Sequence, residues 1–271
     1  MSITCCDFLS KSLTILASRP QKLIIFECEL FDYNSLKLHA PMLSEITLVD
    51  NIVEEYEGMS MRYISLAHVS FRKFREGGIS IDVIVRTASR LYEELKNAPQ
   101  LFLNEWFIES LSRASDIRSV METTSVSKLR RFTLHIQPIR KHVEVLQHIL
   151  SRSPNLQELN IIVAKNKIIK LERWISFGLL NHLTLVNIHR FEGSEKEFEI
   201  LRLLLESTPK LSSLNVLSDN EAEHQEISEK ILAFKLASAI PVIEFHSVLD
   251  SSIGHGGKMA GYGWGKSLVD I

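Results

Sequence analysis

The feature that most constrains this 271-residue chain is an internal repeat. Residues 144 to 161 laid over residues 199 to 216, an offset of 55, give 7 identities in 18 positions, where ordinary residue frequencies give about one. The shared residues read as a helical stripe (Leu146/Leu201, Leu150/Leu205), a stop (Pro154/Pro209) and a strand (Leu156/Leu211, Leu159/Leu214, Asn160/Asn215). Units of this kind cannot cover their own apolar faces. They have to stack, each burying its neighbour's.

A shorter unit lies within that offset. The pattern apolar-x-x-apolar-x-apolar recurs with its first member at Leu43, Met61, Ala98, Leu129, Leu156, Leu180 and Leu211. Each instance sends two alternating residues inward, as a half-buried strand does. The inward pairs are Ile46/Leu48, Ile64/Leu66, Leu101/Leu103, Phe132/Leu134, Leu159/Ile161, Leu183/Leu185 and Leu214/Val216. The last four starts are 27, 24 and 31 residues apart, the length of one strand plus one helix and close to a leucine-rich-repeat period of about 20 to 29. Leu and Ile together number 65. The expected fold is therefore an α/β leucine-rich-repeat-like solenoid, with a parallel sheet on one face and helices on the other.

Helices fill the longer intervals. Residues 81 to 98 carry Ile84, Ala88, Leu91, Leu95 and Ala98 at helical spacing and stop at Pro99, which cannot continue a helix. Val143, Leu146, Ile149 and Leu150 form a stripe before Pro154, and Phe198, Leu201, Leu204 and Leu205 form another before Pro209, with Ser194 as N-cap. An acid-led helix over 221 to 238 and a final strand around Val242, Ile243 and Phe245 follow. In the first 70 residues the runs LIIFE, LKLHA, ITLVD and YISLA come too close together for helices between them, so tight, nearly all-β turns are expected there. EWFIESL, with Trp106 and Phe107, reads as an apolar segment buried under a strand, and residues 112 to 128 as the loop of the molecule. The chain divides into residues 1 to 19, repeats over 20 to 174, further repeats over 175 to 246, and a Gly-rich tail from 247 expected to be poorly ordered.

Composition narrows the partners. The 31 basic and 33 acidic side chains leave a formal charge of -2, without the excess of cations that phosphate-backbone binding needs. Neither nucleic acid nor membrane is expected as a partner, since no apolar run approaches the roughly 20 residues of a spanning helix. Three cysteines (Cys5, Cys6, Cys28) make no disulfide framework. With no secretory leader recognised at the amino terminus, the expected location is intracellular, cytoplasmic or nuclear.

Two segments resemble a known family. Leu36 to Leu48 (LKLHAPMLSEITL) is similar to the strand, Ala-Pro, strand element of plant F-box/leucine-rich-repeat proteins. His182 to Val216 with Ile231 to Phe245 resembles the FBD domain that closes many of them, through Phe191-Glu192-Gly193-Ser194-Glu195 and Phe234-Lys235-Leu236-Ala237-Ser238. The resemblance spans about residues 20 to 246 and implies recognition of a target for a cullin-based ubiquitin ligase. No F-box, with its Leu-Pro-Asp opening, is recognised before Arg19, so binding of the ligase's Skp1-like adaptor is not expected. A truncated family member without function is the bleaker alternative.

Enzymatic signals are thin. Ala260 to Ser267 (AGYGWGKS) fits a permissive phosphate-loop pattern, but only four residues follow it, too few for the helix whose amides would hold phosphate. A nucleotide-binding enzyme using that segment is the competing reading. Ser125-Val126-Ser127-Lys128 matches a nucleophile motif without its companions. The ten histidines show no i, i+4 pair, so no metal, cofactor or catalytic residue is expected. Two basic clusters, Lys128 to Lys141 and Lys165 to Arg173, read as solvated loops.

Function then falls to the outward strand residues, which would present a broad surface to a protein partner. By alternation these are Glu45, Thr47, Tyr63, Ser65, Phe102, Asn104, Arg131, Thr133, His135, Glu158, Asn160, His182, Thr184, Ser213 and Asn215. Tyr63, Phe102 and Arg131 are the hot-spot types among them.

Overall fold

The structure, a computed structural model, describes residues 1–4, 12–26, 35–50, 55–57, 63–73, 80–114, 126–164, 177–218, 224–234 and 242–246. Its elements are numbered in chain order. Strands β1 (Ser2–Thr4), β3 (Lys22–Phe26), β5 (Glu45–Val49), β7 (Leu66–Ser70), β8 (Gln100–Leu103), β9 (Arg131–Ile136), β10 (Glu158–Val163), β11 (Leu185–His189), β12 (Ser213–Leu217) and β13 (Val242–His246) form one ten-stranded sheet in that order. Every neighbouring pair is parallel. Strands β2 (Ser12–Leu16), β4 (Ser35–His39) and β6 (Glu55–Glu57) make a second parallel sheet of three.

The crossovers change character along the chain because their lengths change. Steps from Lys22 to Glu45 and from Glu45 to Leu66 leave room only for a short strand, so β4 and β6 fill them. From Leu66 onward the steps lengthen and helices take over, since a parallel return needs a dozen or more residues to carry one. They are α1 (Ile81–Leu95), α2 (Glu105–Ser112), α3 (Arg140–Ser151), α4 (Glu195–Ser207) and α5 (His224–Leu232). Helix α1 packs on α2, and α2 on α3. The tight all-β turns expected before residue 70 are what the sheet order shows.

Register explains the core. One inward row runs Leu23, Ile46, Ala67, Leu101, Phe132, Leu159, Val186, Leu214, and the next runs Ile25, Leu48, Val69, Leu103, Leu134, Ile161, Ile188, Val216, all buried. Burying one such side chain contributes about 1.5–3 kcal/mol, so the two rows supply a large part of the hydrophobic stabilisation. The expected stripe of the first helix holds too: Ile84, Ala88, Leu91 and Leu95 are buried, with Thr87 and Tyr92 beside them. Ser194 caps α4 in a capping box, accepting from the Glu197 amide while Glu197 reaches back to the Ser194 amide.

Two of the expected strands sit three residues later than the pattern placed them. Ile64 and Leu183 are buried just ahead of their strands, and the inward pairs are Ala67/Val69 and Val186/Ile188. Leu66 and Leu185 are half-buried at outward positions. With this correction the strand-to-strand steps from β9 to β12 become 27, 27 and 28 residues. EWFIESL is α2 rather than a strand-covered segment. Its Phe107 is buried against Phe71, ring centroids 4.9 Å apart.

A backbone seam joins successive turns. The carbonyls of Gln21, Ser44, Pro99, Arg130, Gln157 and Thr184 each accept two consecutive amides from the next unit, for example Ser44 N and Glu45 N on Gln21 O, both at 2.8 Å. Hydroxyls reinforce it, with Ser65 Oγ donating to Ser44 O at 2.9 Å and Ser212 Oγ to Thr184 O at 2.8 Å. These bonds satisfy turn carbonyls that would otherwise need water.

Candidate functional site

The outward face of the ten-stranded sheet carries three rows fixed by the same register. The first is Lys22, Glu45, Leu66, Gln100, Arg131, Glu158, Leu185, Ser213. Its charges are largely matched, Lys22 Nζ to Glu45 at 3.0 Å and Arg131 Nε to Glu158 at 3.1 Å. Both pairs are solvent-facing, so each contributes under about 1 kcal/mol.

The middle row is Thr47, His68, Phe102, Thr133, Asn160, Asn187, Asn215. Its second half is an amide ladder. Asn160 Nδ2 donates to Thr133 Oγ1 at 3.2 Å, Asn187 Nδ2 to Asn160 Oδ1 at 2.5 Å, and Asn215 Nδ2 to Asn187 Oδ1 at 2.7 Å. Ser213 Oγ closes the far end on Asn215 Oδ1 at 3.3 Å. Its first half is aromatic: the Phe102 ring lies edge-on to His68 at 4.1 Å and to His135 at 5.2 Å.

The third row holds Val49, Ser70, His135, Ile162, His189 and Leu217, next to the strand exits. Burial holds His68 and His135 neutral, each pushed down to about 4, with the Arg190 charge adding to the effect on His135. Burial and Arg190 lower His189 as well. Arg190 follows β11 in the left-handed backbone region, φ 59°, as Asp50 does after β5, φ 56°. The Nε2 of His135 is buried without a hydrogen-bond partner among the described residues.

Of the fifteen residues expected on the face, Glu45, Thr47, Phe102, Arg131, Thr133, His135, Glu158, Asn160, Ser213 and Asn215 lie on outward strand positions, Thr47 almost fully buried. Five do not. Tyr63, Ser65, His182 and Thr184 are exposed in the turns ahead of β7 and β11, displaced by the three-residue shift. There Ser65 and Thr184 donate their hydroxyls to the preceding turn, Thr184 Oγ1 to Gln157 O at 3.2 Å. Asn104 is the N-cap of α2: its Oδ1 accepts from Phe107 N at 3.1 Å and Phe71 N at 3.0 Å, and its Nδ2 donates to Phe71 O at 2.7 Å. The shift brings in His68, Asn187 and His189 instead.

Behind the sheet, a buried pair links helices. His142 Nδ1 accepts from Gln137 N at 3.1 Å, and Nε2 meets Glu109 Oε2 at 2.9 Å. That bond, with Arg113 on the other oxygen, holds the Glu109 carboxyl down at about 2 despite its partial burial. The residues are 33 apart in sequence and no motif announces them. An apolar niche among Ile136, Ile161, Ile188, Phe191 and Glu197 has a volume of only about 10 Å³, one water's worth. It is no cofactor pocket.

Among the described residues no three His, Cys, Asp or Glu side chains are placed to hold a metal ion, and no helix is long and apolar enough to cross a membrane. The AGYGWGKS segment, the loop through Ser125, the Lys165 to Arg173 cluster and the Ala237-Ser238 pair lie outside the described residues. No protein-family model, curated protein or solved structure matches the chain.

Proposed function

We propose that this chain is a leucine-rich-repeat-type coil that serves as a protein-binding module rather than an enzyme. The observation that carries the reading is the unbroken register of ten parallel strands, which gathers residues more than 150 positions apart, such as Thr47 and Asn215, into one row on a single face. A face of that kind suits a macromolecule, whereas the one small niche described above is too small for a substrate. Its aromatic group around Phe102 and the exposed Arg131 are of the residue types that anchor protein interfaces. The resemblance to plant F-box/leucine-rich-repeat proteins supports target recognition for ubiquitin ligation inside the cell, without docking to the ligase adaptor by this part of the chain.

The test is comparative affinity capture from plant extract with three full-length baits: wild type, Phe102→Ala with Arg131→Ala, and the helix-side control Arg140→Ala. A partner held by wild type and control but lost by the strand-face variant is the expected result. A captured set that ignores the strand-face substitutions, in a variant whose melting matches wild type, overturns the reading. So does robust capture of the ligase adaptor for the claim about docking.

A further inference from the structure

The three outward rows differ in how much of their bonding capacity is already used. Row one spends its charges on the Lys22–Glu45 and Arg131–Glu158 pairs, and the middle row spends its amides on the ladder. What remains lies at the strand exits over β9 to β11. Arg190 makes no ion pair within 4 Å among the described residues, and its nearest influence on an acid is long-range, on Glu105. Lys73 makes no ion pair either; its Nζ rests 5.8 Å from the centre of the Trp106 ring. His135 and His189 stand beside Arg190 as uncharged donors, and Phe102 provides an apolar floor.

From this we infer that the strand-exit edge over β9 to β11 is the seat of an acidic side chain of a protein partner, with Arg190 as its ion-pair donor, the His135 ring edge as its hydrogen-bond partner and Phe102 under the adjoining apolar residue. The inference rests on the protein-binding reading and names the partner's chemistry. Charge complementarity selects the occupant. A lone guanidinium with one weak counter-charge accepts one carboxylate, and a half-buried guanidinium favours a bidentate one. A phosphate backbone needs a run of cations, and on this face the other basic groups, Lys22 and Arg131, are already paired. Binding also gives the orphaned His135 nitrogen a partner once its ring edge turns outward, which is the usual reason such an atom is tolerated.

The probe is a random dodecapeptide library displayed on phage and panned on the full chain, followed by titration of the enriched peptides as synthetic ligands. The expected result is peptides sharing one Asp or Glu next to an apolar residue, whose affinity falls about tenfold in Arg190→Gln, as loss of a charge-assisted bond does. Arg190→Lys restores most of it, 0.5 M NaCl weakens it, and Arg140→Gln leaves it unchanged. Enriched peptides without a shared acid, binding indifferent to Arg190→Gln, or a single-stranded oligonucleotide that outcompetes them each overturn the inference. If Phe102→Ala abolishes binding while Arg190→Gln does not, the protein-binding face survives and only the acidic seat fails. If neither substitution matters, or no peptide is enriched, both fail.

Discussion

His142 on α3 and Glu109 on α2 meet at 2.9 Å, with the imidazole fully buried and its other nitrogen accepting from the Gln137 amide. One ring thus ties two helices to the strand exit of β9. Removing it with His142→Ala leaves the Gln137 N–H and one Glu109 oxygen without their partner and opens a cavity. The expected cost is about 3 kcal/mol, read from urea unfolding at pH 7. Glu109→Gln, which keeps the shape, should cost less, about 1 kcal/mol. A His142→Ala loss below that of Glu109→Gln contradicts this account.

Stability should fall on mild acidification before ordinary carboxylates protonate. His68 and His135 titrate near 4 in the folded protein against 6.5 when free. The unfolded chain therefore binds protons first, and stability present above pH 6.5 is lost as pH falls towards 4. Glu109, at about 2 against 4.5, adds a loss that begins only below 4.5. Buried Glu105 and Glu197 are shifted upward and work in the opposite direction. Melting temperatures between pH 7.5 and 4.5 check the sign: wild type declines, and His135→Leu declines less. Equal slopes would count against buried neutral imidazoles.

Asn104 should be among the most sensitive polar positions. Asn104→Ala removes an N-cap, worth about 1 kcal/mol, and strands both backbone groups of Phe71, for a total of about 3 kcal/mol. Asn104→Asp keeps the cap but turns an oxygen towards the Phe71 carbonyl. It is expected to melt below wild type despite its suitability at a helix start.

At the turn into α4, Gly193 sits at φ 73°. A Cβ there would meet Ile227 and Phe198 at 3.6–3.7 Å, ordinary contact, so Gly193→Ala costs only its backbone strain, about 1 kcal/mol. Ser194→Ala, which breaks the capping box, costs a similar amount. Thermal melts of the two variants should lie within a few degrees of each other. A Gly193→Ala collapse would show that space, not φ, is limiting.

How much of this could be read from residues alone is clearest at the strands that shifted. The period was legible because two apolar ladders impose it, and so were α1, the Ser194 cap and the β-only start. The register of β7 and β11 was ambiguous because Met61/Ile64/Leu66 and Ile64/Ala67/Val69 satisfy one and the same spacing, and apolarity cannot choose between them. A hydroxyl could have chosen. Ser44, Ser65, Thr184 and Ser212 each directly follow the buried residue ahead of a strand, because each bonds the turn below or lies on the seam. Asn104 was misplaced because alternation continues on paper after the chain has turned into a helix. The His142–Glu109 tie leaves no trace in either local sequence.

The shift also sets an expectation for binding. Once a partner is in hand, Phe102→Ala should weaken it about tenfold or more, whereas Tyr63→Ala and His182→Ala, which stand in turns off the sheet, should change affinity less than about twofold. Surface-immobilised titrations of the captured partner decide between them, and a reversed order would return the site to the turns.

The amide ladder has a direction. Each Asn donates back towards Thr133, so every carboxamide on the row holds its neighbour in one orientation. A change at Asn187 would unsettle Asn160 and Asn215 together, while changes in the flanking rows disturb little beyond themselves. New binding tastes can therefore evolve along the two margins of the sheet, and its midline stays still.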